Sequence, residues 1–304
     1  MLARWILLDM SSPLGPGAPG PGWPGQGRAK AAPPGTGPAG DAAICVLGEA
    51  NLDVIVRLAG PVADETDTPA RTTVGAGGQA ANVAAWITAL GGRARLIAAL
   101  GGDAAGRLVA ADLAARGVDV AGPASEGRSG VVVSLSERGH SRSMLTDPGA
   151  GARLAAGALL DAWFDGCGWL HLPAYSLVRE PIRGAALAAA RRLPRLSVDL
   201  SSVAALREFG VERFRDLLAR LRPALVFGTE AESELVGSMP GSELVVKLGS
   251  RGVRAGGAVH AAHPARAVDA TGAGDAFAAG YLLGGIGLGL AAAARAVATM
   301  GAMP

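Results

Sequence analysis

Short apolar runs bounded by polar turns alternate with stretches of helical period along most of this chain. Residues 43–47 and 52–58 are two apolar strands in quick succession. The apolar spacing of 80–90 predicts a helix, 94–99 a strand and 104–116 a helix. The Val-Val-Val run within 130–135 reads as β and pairs with 141–145 across the turn Glu137-Arg138-Gly139-His140. Strands at 169–172, 196–200, 225–227 and 244–248 then alternate with helices at 181–192, 211–221 and 230–236. Such alternation predicts an α/β fold: a mostly parallel central sheet covered by helices on both faces, a three-layer α/β/α sandwich. The early β-rich pieces break the alternation and predict a small β lid laid over the site. No internal repeat is evident.

Two segments stand apart from this pattern. Residues 11–40 hold eight prolines and nine glycines without a collagen period, too little apolar surface to offset ordering entropy. A disordered Pro/Gly-rich tail over 1–40 is expected, followed by one domain over 41–304 with lid segments near 49–75 and 128–147. The apolar run in residues 1–10 is too short for a signal-peptide core. The second segment, 276–294, is nineteen uncharged residues and meets the length of a membrane span. Five glycines interrupt it and it begins at a polar turn, so a buried helix is expected instead.

Half of the residues are hydrophobic, enough for a sizeable core, and the net charge of +2 is too small to argue for a nucleic-acid or membrane partner. Every basic residue except Lys30 and Lys247 is arginine, a bias of composition rather than a binding patch. Cys45 and Cys167 lie in apolar strand-like surroundings without CxxC spacing, which predicts a reduced, buried pair and a cytoplasmic protein. His140, His171, His260 and His263 show no ligand spacing and read as satisfied surface or strand-end residues.

The chemistry concentrates at Val268-Asp269-Ala270-Thr271-Gly272-Ala273-Gly274-Asp275-Ala276-Phe277. A strand, a glycine turn and a helix N-terminus bring backbone amides and the positive end of a helix dipole to one spot, which favours an anion. A carboxylate beside an anion site suits phosphoryl transfer, with amides holding charge while Asp275 takes a hydroxyl proton. The plainer alternative is a helix cap with a left-handed glycine. A second element, Gly75-Ala76-Gly77-Gly78-Gln79-Ala80-Ala81-Asn82, places glycines before a helix and an amide one turn in. Its rival, a dinucleotide fingerprint, lacks the buried first strand and the acidic residue that should follow. In Gly48-Glu49-Ala50-Asn51-Leu52-Asp53 the side chains of Asn51 and Asp53 share a face of an extended segment, a fit to vicinal hydroxyls. Lys247-Leu248-Gly249-Ser250-Arg251-Gly252 follows an apolar strand, Asp199 ends another at the strand end where ligands gather and so is a candidate to face the cleft, and no P-loop is present.

These motifs, in this order over 43–304, resemble the ribokinase/PfkB family of carbohydrate kinases. The resemblance implies a ribokinase-like fold and ATP-dependent phosphorylation of a hydroxyl on a small-molecule sugar. It makes Asp275 the base and gives the anion hole to Gly272, Ala273 and Gly274. It assigns the sugar to Asn51, Asp53, Gly77, Gly78 and Asn82, and the nucleotide to Lys247, Gly249, Ser250 and Gly252. Glu232 would help position Mg²⁺, and Asp269 with Thr271 would match a monovalent-cation site for K⁺, unless they form only an Asx turn. Thr229 replaces the family's Asn ahead of Glu232, and the last position of Asp147-Pro148-Gly149-Ala150-Gly151 usually carries Asn. Gln79 stands where ribokinases and several sugar-phosphate kinases carry Lys, which points to an unphosphorylated acceptor. The segment after Asp275 is short, and the family usually builds its adenine pocket there. A nucleoside kinase and a catalytically weak sugar-binding sensor are the two alternatives, and an exposed lid edge would permit a homodimer.

Overall fold

The computed structural model describes residues 37, 39, 42–137 and 142–304. The 1–10 run, most of the Pro/Gly-rich segment and His140 lie outside the described residues. Where the description begins, the Gly37 and Ala39 amides already donate to the carbonyls of Leu283 and Leu282.

Nine strands form the central sheet, in the spatial order Ala258–His260, Val253–Ala255, Glu243–Lys247, Leu225–Thr229, Leu196–Asp199, Cys167–Pro173, Ala43–Leu47, Ala94–Ile97 and Asp119–Ala121. From Glu243–Lys247 to the Asp119–Ala121 edge every pairing is parallel, and the two outermost strands on the other side add antiparallel. The strands read as apolar runs because helices cover both faces. One face buries Trp86, Leu113 and Phe277 with the helices Gln79–Ala89, Ala104–Ala115 and Ala273–Val297. The other buries Ile182, Leu206, Phe214 and Val236 from four helices between 182 and 236. Strand order reverses around Ala43–Leu47, and ligands of such sheets gather beyond the carboxyl ends of the strands at that reversal.

Apart from this sheet, Ala70–Gly77, Asn51–Leu58, Gly130–Glu137 and Arg142–Asp147 form a four-stranded one. Its central pairing is parallel and its two outer pairings antiparallel, and Gly130–Glu137 pairs with Arg142–Asp147, as expected of 130–135 and 141–145, with Val133 opposite Leu145. The strand Ala70–Gly77 escaped the pattern because Arg71, Thr72, Thr73 and Val74 are all exposed on a sheet edge, where no alternation is imposed.

The long apolar helix is buried as expected, and it breaks at two of the glycines that interrupt it. Gly284 and Gly285 leave helical geometry, Gly285 with φ +69° and ψ −160°, and the chain folds back there. The amides of Val268 and Asp269 both donate to the carbonyl of Val297, whereas a straight 25-residue helix would carry its end about 37 Å away. The two arms touch through glycine: a Cβ on Gly280 would lie 2.6 Å from the Leu288 carbonyl oxygen, and one on Gly289 would lie 2.8 Å from the Phe277 ring. In its most apolar 18-residue window 61% of the residues are buried, so this segment is core material.

Candidate active site

Asp275 sits in the first turn of Ala273–Val297, directly after a turn that only glycine fits. Gly272 has φ +74°, and a Cβ there would lie 2.4 Å from the Ala302 carbonyl oxygen. The carboxylate is held from the neighbouring helix, whose first turn presents Gln79 and Asn82 three residues apart and therefore on one face. The Asn82 side-chain amide donates to Asp275 Oδ2 at 2.8 Å, and Gln79 adds a further side-chain hydrogen bond. Desolvation pushes the Asp275 pKa up to about 7 and the nearby Asp199 carboxylate adds to the rise, against the Asn82 and Gln79 hydrogen bonds and the charge of Lys247. A carboxyl group with a pKa near 7 can exchange a proton at neutral pH.

The predicted sugar residues converge on the same end of the small sheet. Asn51 pairs with Gly77 across one strand boundary and with Gly130 across the other. The Asp53 carboxylate lies flat against Gly77, where a Cβ would stand 2.0 Å from its Cγ; Gly78, with φ +94°, passes 2.6 Å from the Glu49 carbonyl oxygen by the same measure. The side-chain oxygens Asn51 Oδ1, Gln79 Oε1 and Asn82 Oδ1 are buried with no hydrogen-bond partner among the described residues. A buried acceptor without a donor is costly, and hydroxyl groups are the donors that would satisfy these three. Gly77→Ala is expected to push Asp53 aside and raise the acceptor KM about 10- to 100-fold, the worth of a hydrogen bond to a charged group. The ATP KM should hold, and steady-state kinetics with each substrate varied checks the split.

A cavity of about 580 Å³ is lined by Lys247, Gly249, Ser250 and Gly252 together with Ala273 and Gly274, the two residues before Asp275. Its apolar wall is Phe277 from the first arm of the broken helix and Leu290, Ala293 and Val297 from the second. The short C-terminal segment thus supplies an apolar pocket by folding back. Lys247 is more than a loop contact. Its Nζ pairs with Asp199 Oδ2 at 2.7 Å, Asp199 being 1% exposed, and it lies 3.2 Å from the point where a Cβ on Gly274 would stand. Burial would depress the Lys247 pKa, but the carboxylates of Asp199, Glu232 and Asp275 hold it above its ordinary value.

The residues predicted to touch metal have structural work of their own. Thr229 and Glu232 form a reciprocal capping box: the Thr229 amide donates to Glu232 Oε2 at 2.8 Å and the Glu232 amide to Thr229 Oγ1 at 3.4 Å. Asp269 and Thr271 take the geometry of an Asx turn, with Asp269 Oδ1 accepting from the Thr271 amide at 2.9 Å and its hydroxyl at 2.5 Å, while Oδ2 accepts from the Gly301 amide. No cluster of three or more His, Cys, Asp or Glu with metal-binding geometry occurs among the described residues.

Two expectations need correction. His171 is neither a surface nor a strand-end residue: it is fully buried in mid-strand, its Nδ1 2.8 Å from Ser197 Oγ and its Nε2 without a partner among the described residues. Desolvation brings its pKa down to about 4, so the ring is neutral. Of the two thiols, both free, Cys45 is buried but Cys167 only half-buried. The sequence motifs do not place Gln79 against Asp275, and they place Asp199 at the cleft without its partner Lys247. The three-residue spacing of Gln79 and Asn82 was the available signal for the first; nothing local signals that Asp199 meets Lys247, 48 positions away.

A family model described as pfkB family carbohydrate kinase matches residues 41–303. The chain belongs to this family. It is thus a carbohydrate kinase, a phosphotransferase of the ATP-dependent sugar and nucleoside kinases. It is 32% identical over 269 residues to a fructokinase of Klebsiella pneumoniae, covering 79% of this chain and 83% of that one. Solved structures at lower identity show the ribokinase-like fold of this pfkB-family kinase. An adenosine kinase of Sinorhizobium meliloti superposes with a TM-score of 0.74 at 20% identity, over 87% of this chain and 96% of that one. An E. coli protein solved with ATP and Mg²⁺ as a ribokinase II candidate does so with a TM-score of 0.74 at 22% identity, over 86% and 94%.

Proposed function

We propose that this pfkB-family kinase transfers the γ-phosphoryl group of ATP to a hydroxyl of an unphosphorylated sugar, with Asp275 as general base. The observation that carries this reading is the Asp275 carboxylate itself: recessed, lifted to a pKa of about 7 and aimed by the Asn82 amide at 2.8 Å. It takes the proton of the acceptor hydroxyl as that oxygen attacks. Charge developing on the transferred group is met by the amides of Gly272, Ala273 and Gly274 at the helix N-terminus. The Ala273 amide makes only a 3.3 Å bond to the Ala270 carbonyl, which it exchanges for a phosphoryl oxygen. Lys247, against Gly274, supplies a positive charge beside these amides.

Asn51, Asp53 and Asn82 orient the sugar through its hydroxyls, and Gly77 and Gly78 let it approach the backbone. The apolar arm of the cavity near Lys247 takes the adenine, and Gly249, Ser250 and Gly252 border it. Mg²⁺ is commonly held by a carboxylate or two and substrate phosphates; Glu232, buried and near enough for its charge to act on Lys247, would help hold it, and the metal would neutralise phosphate charge.

The test is ADP release from ATP and Mg²⁺ over pentoses, hexoses and nucleosides, with and without K⁺, followed across pH. Turnover on a sugar is expected, and kcat/KM should fall on the acid side of about pH 7 as Asp275 takes up its proton. Saturable sugar binding with no turnover at any pH would overturn the catalytic assignment in favour of a sensor. Turnover on nucleosides alone would move the acceptor to that class.

A further inference from the structure

The inner face of the small sheet continues past its sugar end. Alternate side chains of a strand share a face, so Arg57 lies on the same side of Asn51–Leu58 as Asn51 and Asp53. Arg71 stands directly opposite Arg57 in register on one neighbouring strand, and Ser136 on the other. All three line a cavity of about 890 Å³ whose far wall includes Asp269.

Two guanidinium groups in direct cross-strand register repel each other. The Arg57 Nε is also buried and has no hydrogen-bond partner among the described residues. The one carboxylate lining this cavity, Asp269, accepts from Thr271 and Gly301 with its two oxygens. A guanidinium with a buried donor left unfilled, paired with a second guanidinium, matches a carboxylate or a phosphate, which such groups bind through parallel charge-assisted hydrogen bonds. Arg57 lies four residues beyond Asp53 on the same face, about 13 Å along the strand, which is the span an acceptor held at both ends would bridge.

We propose that Arg57 and Arg71 bind an anionic group of the acceptor, at the end remote from the hydroxyl that reacts at Asp275. This rests on the kinase reading and narrows its substrate class. A sugar acid keeps the acceptor unphosphorylated, whereas a sugar phosphate revises that point; the shared chemistry is a terminal oxyanion.

Thermal unfolding of the full chain tests it, using matched probes: glucose with gluconate and glucose 6-phosphate, ribose with ribonate and ribose 5-phosphate, and fructose with fructose 6-phosphate. In the wild type an anionic probe should stabilise more than its neutral parent. In the Arg57→Gln/Arg71→Gln double variant its apparent Kd should weaken about 10- to 100-fold, with the neutral parent's Kd as the reference. The ligand-free double variant should melt no lower than wild type, since it loses a like-charge pair; Arg57→Lys, which keeps the charge, should retain part of the anion binding. Equal weakening for neutral and anionic probes, or no anionic probe outperforming its parent, overturns the proposal. So does a dimer that the double variant dissolves, because a second copy would then supply the anion. ADP release measured in parallel separates the two readings. Anion binding without turnover condemns the kinase chemistry alone, and equal turnover on neutral and anionic acceptors condemns this subsite alone.

Discussion

Asp275→Asn is expected to lower kcat by about 10²- to 10⁴-fold, the range a positioned general base supplies, while leaving the acceptor KM nearly unchanged. Asn is isosteric, still accepts from the Asn82 amide, and lets Gln79 turn its unpartnered oxygen toward the new amide. The same substitution has a signature in stability. The folded pKa of about 7 lies above the ordinary 3.8, so between these values the folded state holds a proton that the unfolded chain has released. Stability from this group is therefore intact below about pH 4 and lost as pH rises through about 7. Asn carries no such penalty, so the variant should match wild type at pH 4 and melt higher at pH 8. ADP release and thermal unfolding at both pH values check the pair of effects. Near-wild-type turnover would remove Asp275 from the chemistry whatever the melting curve shows.

Lys247→Met is expected to cost about 3–5 kcal/mol of stability, because it strands the Asp199 carboxylate, 1% exposed, without its counter-charge. For a chain of this size that is a fall of roughly 10 °C in melting temperature. Adding Asp199→Asn should recover most of the loss: the uncompensated charge disappears, and the Ser201 amide, which now donates to Asp199 Oδ1, keeps an acceptor. Turnover should stay low in both variants, since the ammonium beside Gly274 is absent from each. Urea unfolding of the two single variants and the double resolves the coupling. A loss of under about 1 kcal/mol would mean that solvent screens the pair as it screens surface ion pairs.

The sequence by itself determined the layered α/β fold, because strands covered on both faces must be apolar throughout and their helices must carry the 3.6 period. It also marked Asp275, Gly272, Gly77 and Asn82, since glycine turns leading into helices are local features whose backbone consequences travel with the residues. The tertiary structure decided what depends on contacts between distant segments. Only the fold brings Asn82 to Asp275 across 193 positions, ties Lys247 into a buried pair with Asp199, and desolvates the Asp275 carboxylate enough to lift its pKa. Only the fold turns the apolar run after Asp275 back on itself at Gly284–Gly285, because glycines tolerate a break and leave its direction to packing. It likewise placed the polar Arg71 in register with Arg57, on an edge strand whose exposure had erased the alternation that reveals a strand.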